Sequence, residues 1–192
     1  MKIVMLCGKG DSSLYMYNDI CREFPIAAYI EEEKQSVKRI VKRRIKKLGF
    51  FKVCNMILFQ VLISKLLHKT SRKRVKTIIK DYNLDNKAVP ETIFHSVNSV
   101  NDKKTIEILK KINPGLVIVN GTRIISKKVL NSIDAMFINT HVGITPEYRG
   151  VHGGYWALIN NDLENCGVTI HRVDQGIDTG DIIKQNTIAI YL

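Results

Sequence analysis

The sequence predicts an α/β domain: an open, mostly parallel twisted sheet with flanking helices, interrupted by an inserted basic helical hairpin. Three observations carry this. Short apolar runs recur along the chain, and each ends abruptly in a polar or glycine-containing cluster, as Lys2 to Cys7 does in Gly-Lys-Gly-Asp-Ser-Ser. Helix-period segments separate the runs. Between residues 34 and 80 the composition changes sharply, with basic residues on both sides of an apolar centre. A chain of 192 residues, 45% hydrophobic, is long enough to bury one substantial core, so residues 1–192 read as a single domain carrying an insertion. The opening apolar run is too short for a signal peptide.

The first strand, Lys2 to Cys7, feeds the loop Gly8 to Ser13, and Leu14, Tyr17, Ile20, Cys21 and Phe24 then continue with helical spacing. Backbone N–H groups at Gly8 and Gly10, with the hydroxyls of Ser12 and Ser13 ahead of a helix, suit a phosphate-bearing substrate. The plain alternative is a tight connection capped by Asp11 or Ser12. Pro25 to Ile30 forms the second strand, which Glu31 to Glu33 lead out to solvent.

In the insertion, residues 34–80, Gly49 divides two helices, and the uncharged run Val53 to Ser64 lies between Lys52 and Lys65. That run falls short of the ~20 residues that span a bilayer. Two partners fit the segment: a protein surface packed against its apolar face, or an anionic membrane on which it lies peripherally. Nucleic acid ranks below both, because Phe50, Phe51 and Phe59 fall inside the apolar centre rather than between basic residues. The formal charge of +12 and pI near 9.6 favour an anionic partner without choosing its kind.

Asp102 begins a helix that Pro114 and Gly115 end, and Leu116 to Val119 is a buried strand terminating in Asn120-Gly121-Thr122-Arg123. Ala135 to Ile138 forms the next strand and reaches Asn139 and His141, which alternation directs to one side while Thr140 faces away. A later strand runs into Asp-Gln-Gly-Ile-Asp-Thr-Gly-Asp. In open α/β sheets ligands sit outside the carboxyl ends of strands, so these clusters can meet in one crevice. The four cysteines show no CxxC pairing, which suits buried thiols in a reducing cytoplasm and no zinc site.

Asn139, His141 and Asp178 form a chemically sensible set. An amide N–H can donate to a developing oxyanion, an imidazole can exchange a proton, and a carboxylate can orient and stabilise that imidazole. These are the needs of acyl transfer to an external nucleophile, since no GxSxG elbow is present. The alternatives are a turn cap at Asn139, a core histidine at His141 and a turn residue at Asp178. Arg149 either contacts an anionic substrate or braces the loop beside Pro146 and Gly150. Tyr155 and Trp156, at a helix start, are expected to pack in the core rather than stack on a ligand, and His152 and His171 could reach the site but default to exposed or structural roles.

The order Asn-x-His, then ITPEYRG, YWALINND and GVTIHRVDQGIDTGDII closely resembles the folate-dependent formyltransferases, which act on glycinamide ribonucleotide, methionyl-tRNA or nucleotide-linked sugars. The likeness is specific from Asn113 to Gln185, looser over residues 1–30, and does not cover the insertion. It implies a Rossmann-like domain in which Asn139, His141 and Asp178 are catalytic. It further implies 10-formyltetrahydrofolate as donor, with no metal, held between Thr122, Arg123, Ile124 and Ile125 on one side and Val173, Asp174, Gly176 and Ile177 on the other. A small-molecule primary amine would be the acceptor, met by Gly8, Gly10, Ser12, Ser13 and Arg149. A nucleotide-linked amino sugar is favoured, because the Arg-Gly loop resembles that of the sugar enzymes. Glycinamide ribonucleotide is the other small acceptor, and a catalytically silent binding protein is the alternative class. The family domain ordinarily continues with a helical segment where this chain reaches Tyr191 and Leu192, leaving a minimal form and a truncated one both open. Cytoplasmic placement follows, peripheral to a membrane if the insertion docks there, and a homo-oligomer is compatible with either.

Overall fold

A computed structural model describes residues 1–190, which divide into two compact units: residues 1–33 with 87 onward, and residues 34–86. The larger unit is built on seven strands: β1 (Ile3–Gly8), β2 (Ile26–Glu32), β3 (Phe94–Val97), β4 (Leu116–Asn120), β5 (Met136–Val142), β6 (Gly167–Arg172) and β7 (Ile182–Thr187). Their order across the sheet is β3-β2-β1-β4-β5-β6-β7, parallel from β3 to β5 and antiparallel for the last two. The sequence therefore anticipates the sheet and its parallel majority. The chain winds outward from β1 in both directions, so the crevice at the β1/β4 switch opens above the strands' carboxyl ends.

Alternation along the strands divides the core in two. Val4, Leu6, Ala28, Ile30, Val117 and Val119 face Ile106 and Leu109 of α4 (Lys103–Ile112) and Val129 of α5 (Lys127–Leu130). On the opposite face Ile3, Met5, Cys7, Tyr29 and Ile118 meet Tyr17 of α1 (Asp11–Ile20). Buried side chains on both faces account for the continuous rather than alternating apolar runs of a parallel sheet. Helix α4 ends where Asn113 takes a left-handed conformation ahead of Pro114. Asp102 stands at its N-cap without a side-chain capping bond.

Two sequence expectations are corrected here. Glu31 and Glu32 are buried, not solvent-facing. Glu32 accepts hydrogen bonds from the backbone N–H of Val100 at 2.8 Å and of Arg123 at 3.3 Å. Its Oε1 lies 2.6 Å from Arg123 Nε as an ion pair, without the alignment of a hydrogen bond. Glu31 Oε1 lies 3.6 Å from Lys9 Nζ. Both carboxylates thus extend a strand that composition suggested was ending, because their charge is answered by the loops after β1 and β4.

The cysteines are likewise not uniformly buried: Cys7 and Cys166 are, Cys54 is partly so, and Cys21 is exposed. Burial pushes the Cys7 thiol from 9.0 up to about 12, so it stays protonated and unreactive near neutrality. A maleimide at mildly alkaline pH should label Cys21 first and Cys7 only after denaturation, as read by peptide mass. Prompt labelling of Cys7 in the folded protein would contradict this burial.

The smaller unit contains α2 (Val37–Leu48) and α3 (Phe50–Asp81), divided at Gly49, whose φ of 85° is the left-handed geometry expected of a helix-breaking glycine. Helix α3 is one continuous helix of 32 residues, so by length and composition it can cross a membrane, which the short uncharged run did not suggest. Only 6% of its most apolar window is buried, the reverse of a core helix.

Candidate active site

Strand β5 carries Asn139 and His141 to the same side, as alternation requires, and Asp178 reaches them from the loop after β6. Asp178 itself adopts a left-handed backbone, with φ of 51°. Its Oδ2 lies 3.3 Å from His141 Nδ1 and accepts the Gly150 N–H at 3.0 Å. Its Oδ1 lies 3.3 Å from His171 Nε2 and accepts from Asn139 Nδ2 at 3.4 Å. The Asp178 carboxylate therefore joins the other two predicted residues, Asn139 and His141, and a fourth residue.

For that fourth residue, His171, sequence favours an exposed or structural role over reaching the site. It is buried and stands directly across from Asn139 in the antiparallel β5/β6 register. The side-chain amide of Asn139 lies 3.2 Å from its Nε2. Sequence offered a weak sign, a histidine two positions after buried Thr169 on one strand face. The cross-strand pairing that makes it significant exists only once the register is known.

The ring partners define the protonation pattern. His171 Nδ1 lies 2.7 Å from the Arg172 carbonyl, to which it donates, leaving Nε2 of the neutral ring as acceptor for Asn139. His141 Nε2 likewise donates to the Tyr148 carbonyl at 2.7 Å, leaving Nδ1 toward Asp178. A proton added at either ring's remaining nitrogen faces an oxygen of Asp178. A cluster of this kind can take up and return a proton, and a proton on His171 Nε2 releases an Asn139 N–H to donate elsewhere.

The loop supporting His141 is firmly anchored. Buried Thr169 donates to the Gly143 carbonyl at 2.8 Å and accepts from Thr145 N and Gln185 Nε2, each at 3.1 Å. Tyr148 donates its hydroxyl to Asp162 at 2.9 Å. Hydrogen bonds from Asn165 and Tyr148 hold the Asp162 carboxyl below its ordinary range.

A cavity of about 520 Å³ opens beside this cluster. Asn139, His171 and Asp178 stand at its wall, with Gly150 and Val151. Thr122, Arg123, Ile124, Ile125, Val173, Asp174, Gly176 and Ile177 all line it as well, so two segments far apart in sequence meet there. Its walls are mostly apolar, and its size is that of a small-molecule site. His141 supports the cluster from behind and is not among the lining residues.

The five residues expected to meet the acceptor do not line this cavity, whose walls are those expected to hold the donor. Ser13 is buried and its hydroxyl is engaged, donating to the Gly8 carbonyl at 2.8 Å and accepting from Asn120 Nδ2 at 3.0 Å. Gly8 serves a close approach, since an added Cβ would stand 2.1 Å from the Gly121 carbonyl oxygen. Gly10, Ser12 and Arg149 are exposed and outside the cavity lining. One expectation is corrected here: Tyr155 and Trp156 are 56% and 51% exposed on α6 (Gly153–Ile159), edge to face with each other, rather than packed in the core. Among the described residues no His, Cys, Asp and Glu group is arranged to hold a metal.

The chain is similar in sequence and fold to several known proteins. Methionyl-tRNA formyltransferase of Agathobacter rectalis is 39% identical over 99 residues, covering 51% of this chain and 31% of that protein. The enzyme of the same name from Finegoldia magna is 36% identical over 93 residues, or 48% and 30% respectively. The matched stretch is thus about a third of the length of these relatives. Among solved structures, phosphoribosylglycinamide formyltransferase from Streptococcus pneumoniae superposes with a TM-score of 0.60 at 22% identity, covering 100% of this chain and 84% of that one. A sugar N-formyltransferase from a Shewanella species gives 0.54 at 16% identity, covering 100% and 58%. These two share the fold. The family profile described as formyl transferase matches residues 52–192, well over half of the sequence, and the chain belongs to that family.

Proposed function

We propose that this protein transfers a formyl group from 10-formyltetrahydrofolate to a primary amine of a small, phosphate-bearing acceptor, a nucleotide-linked amino sugar being favoured. The observation that carries the reading is the Asn139, His171 and Asp178 wall of the apolar cavity, with His141 behind it, in a chain of the formyl transferase family. The cavity suits a flat heterocycle: Ile124, Ile125, Val173 and Ile177 offer apolar walls, and Thr122 and Asp174 offer polar edges.

The donor supplies an electrophilic formyl carbon. Asn139 is positioned to donate an amide N–H to the negative oxygen that develops as the amine adds, which strengthens in a cavity sheltered from water. Asp178 and the two imidazoles hold the proton that the amine loses, and return it to the nitrogen that departs as its bond to the formyl carbon breaks. The Gly150 N–H fixes the carboxylate in place for this transfer.

The preference for an amino sugar rests on the Arg149-Gly150 loop, whose Gly150 and Val151 line the cavity. Methionyl-tRNA is the competing acceptor suggested by the relatives' names, and glycinamide ribonucleotide the one suggested by a structural neighbour. The test incubates the full chain with 10-formyltetrahydrofolate and each acceptor in turn, following the gain of a formyl group by mass spectrometry. Turnover of the amino sugar alone is expected. Turnover of another acceptor would replace the substrate assignment, and donor binding without any turnover would favour a silent binding protein.

A further inference from the structure

The chain's net positive charge is confined to the insertion. Residues 34–80 hold 16 of the 30 Lys and Arg residues and none of the 18 Asp and Glu, so the remaining chain, with 14 cations against 18 acids, is net −4. An anionic surface would repel that remainder, and any attraction must come from α2 and α3. We infer that the insertion is a membrane-docking device that lies on an anionic lipid surface through the exposed apolar side chains of α3 and the cations of α2.

The apolar component is accessible. Phe51, Leu58, Phe59 and Leu62 are exposed by 82%, 61%, 63% and 59%, far beyond the scattered single hydrophobics of an ordinary soluble surface. The electrostatic component frames it. Lys38, Lys42, Arg43, Arg44, Lys46 and Lys47 precede the apolar run, and Lys69, Arg72, Lys73, Arg74, Lys76 and Lys80 follow it. No acidic residue lies between Glu33 and Asp81 to neutralise them. Arg43, Arg44 and Lys47 border a hollow of about 480 Å³ on α2, where a phosphate headgroup would find three cations. Exposed apolar surface flanked by cations is the chemistry of an interfacial helix on anionic lipid.

Chain connectivity decides between lying on the bilayer and crossing it. Strands β2 and β3 are parallel neighbours, with Tyr29 opposite Phe94, so the insertion leaves and re-enters the same sheet. Helix α2, of 12 residues and dense in cations, is unsuited to hydrocarbon. If α3 crossed, residues 82–93 would have to bring the chain back through the bilayer. That stretch is turn and irregular backbone containing Asp85, Lys87 and Glu91, and its backbone groups would be left unsatisfied in lipid. Both ends therefore stay on one side.

Flotation of the full-length protein with phosphatidylcholine vesicles, with and without phosphatidylglycerol, tests this. The protein is expected to float with the anionic vesicles only and to be released by carbonate at high pH. Neutralising Arg43, Arg44 and Lys47 together to Gln should lower partitioning by roughly 100-fold, at about fivefold per cation removed near the surface. Changing Leu58, Phe59 and Leu62 to Ser should lower it comparably, while donor binding at the cavity stays unchanged in both variants and reports that the sheet is folded. Absence of flotation overturns the inference, even if the apolar variant dissociates an oligomer or the charge variant loses RNA binding. Equal flotation with neutral vesicles, or resistance to carbonate, overturns it too.

Discussion

Replacing Asp178 with Asn should reduce kcat for formyl transfer by roughly 10³-fold while leaving donor affinity nearly unchanged. The substitution keeps the side chain's size, and its amide oxygen can still accept the Gly150 N–H that the carboxylate holds at 3.0 Å. What disappears is the charge standing 3.3 Å from both His141 Nδ1 and His171 Nε2. An amide N–H pointed at either ring occupies the nitrogen that must take up the reacting amine's proton. Asn139→Ala removes an oxyanion donor and should cost about 10²-fold to 10³-fold, without the same loss of proton transfer. Single-turnover rates and separate donor titrations distinguish the two effects. A kcat within tenfold of wild type for Asp178→Asn would show that this carboxylate does not manage the proton.

Several parts of this arrangement were readable before the fold was known. The apolar runs at β1 and β4 are buried on both faces and end in polar clusters, and period-two alternation along β5 directs Asn139 and His141 together. Local sequence carried only a weak sign of His171, because its importance comes from pairing with Asn139 across antiparallel strands. Glu31 and Glu32 misled for a related reason. Adjacent acidic residues usually end a buried strand, yet here Lys9 and Arg123 arrive from distant loops to answer them. For Tyr155 and Trp156, aromatic character suggested core packing, but the short helix α6 presents both outward. Local patterns specify which face a side chain takes on its own element. They do not specify which other element covers that face.

Placing Ala at Gly143 should destabilise the protein by about 3 kcal/mol and abolish most activity in the fraction that folds. Gly143 has φ of 145°, a conformation in which a Cβ is strained whatever space surrounds it. Space is also lacking: the new atom would stand 2.6 Å from the Tyr148 carbonyl oxygen, 3.0 Å from His141 Nε2 and 3.1 Å from Gly153 Cα. Relief requires moving the Tyr148 carbonyl, which accepts the hydrogen bond that fixes His141 at 2.7 Å. Displacing it frees the imidazole to rotate away from Asp178. Gly150→Ala provides the control, since its φ of 84° imposes backbone strain but nothing lies within 4 Å of the added carbon. That variant should lose about 1 kcal/mol and retain the His141 contact. Denaturant midpoints measure the first difference, and turnover normalised to folded protein the second. Equal loss of activity in the two variants would indicate that the loop's backbone conformation, rather than the crowding at Tyr148 and His141, governs the site.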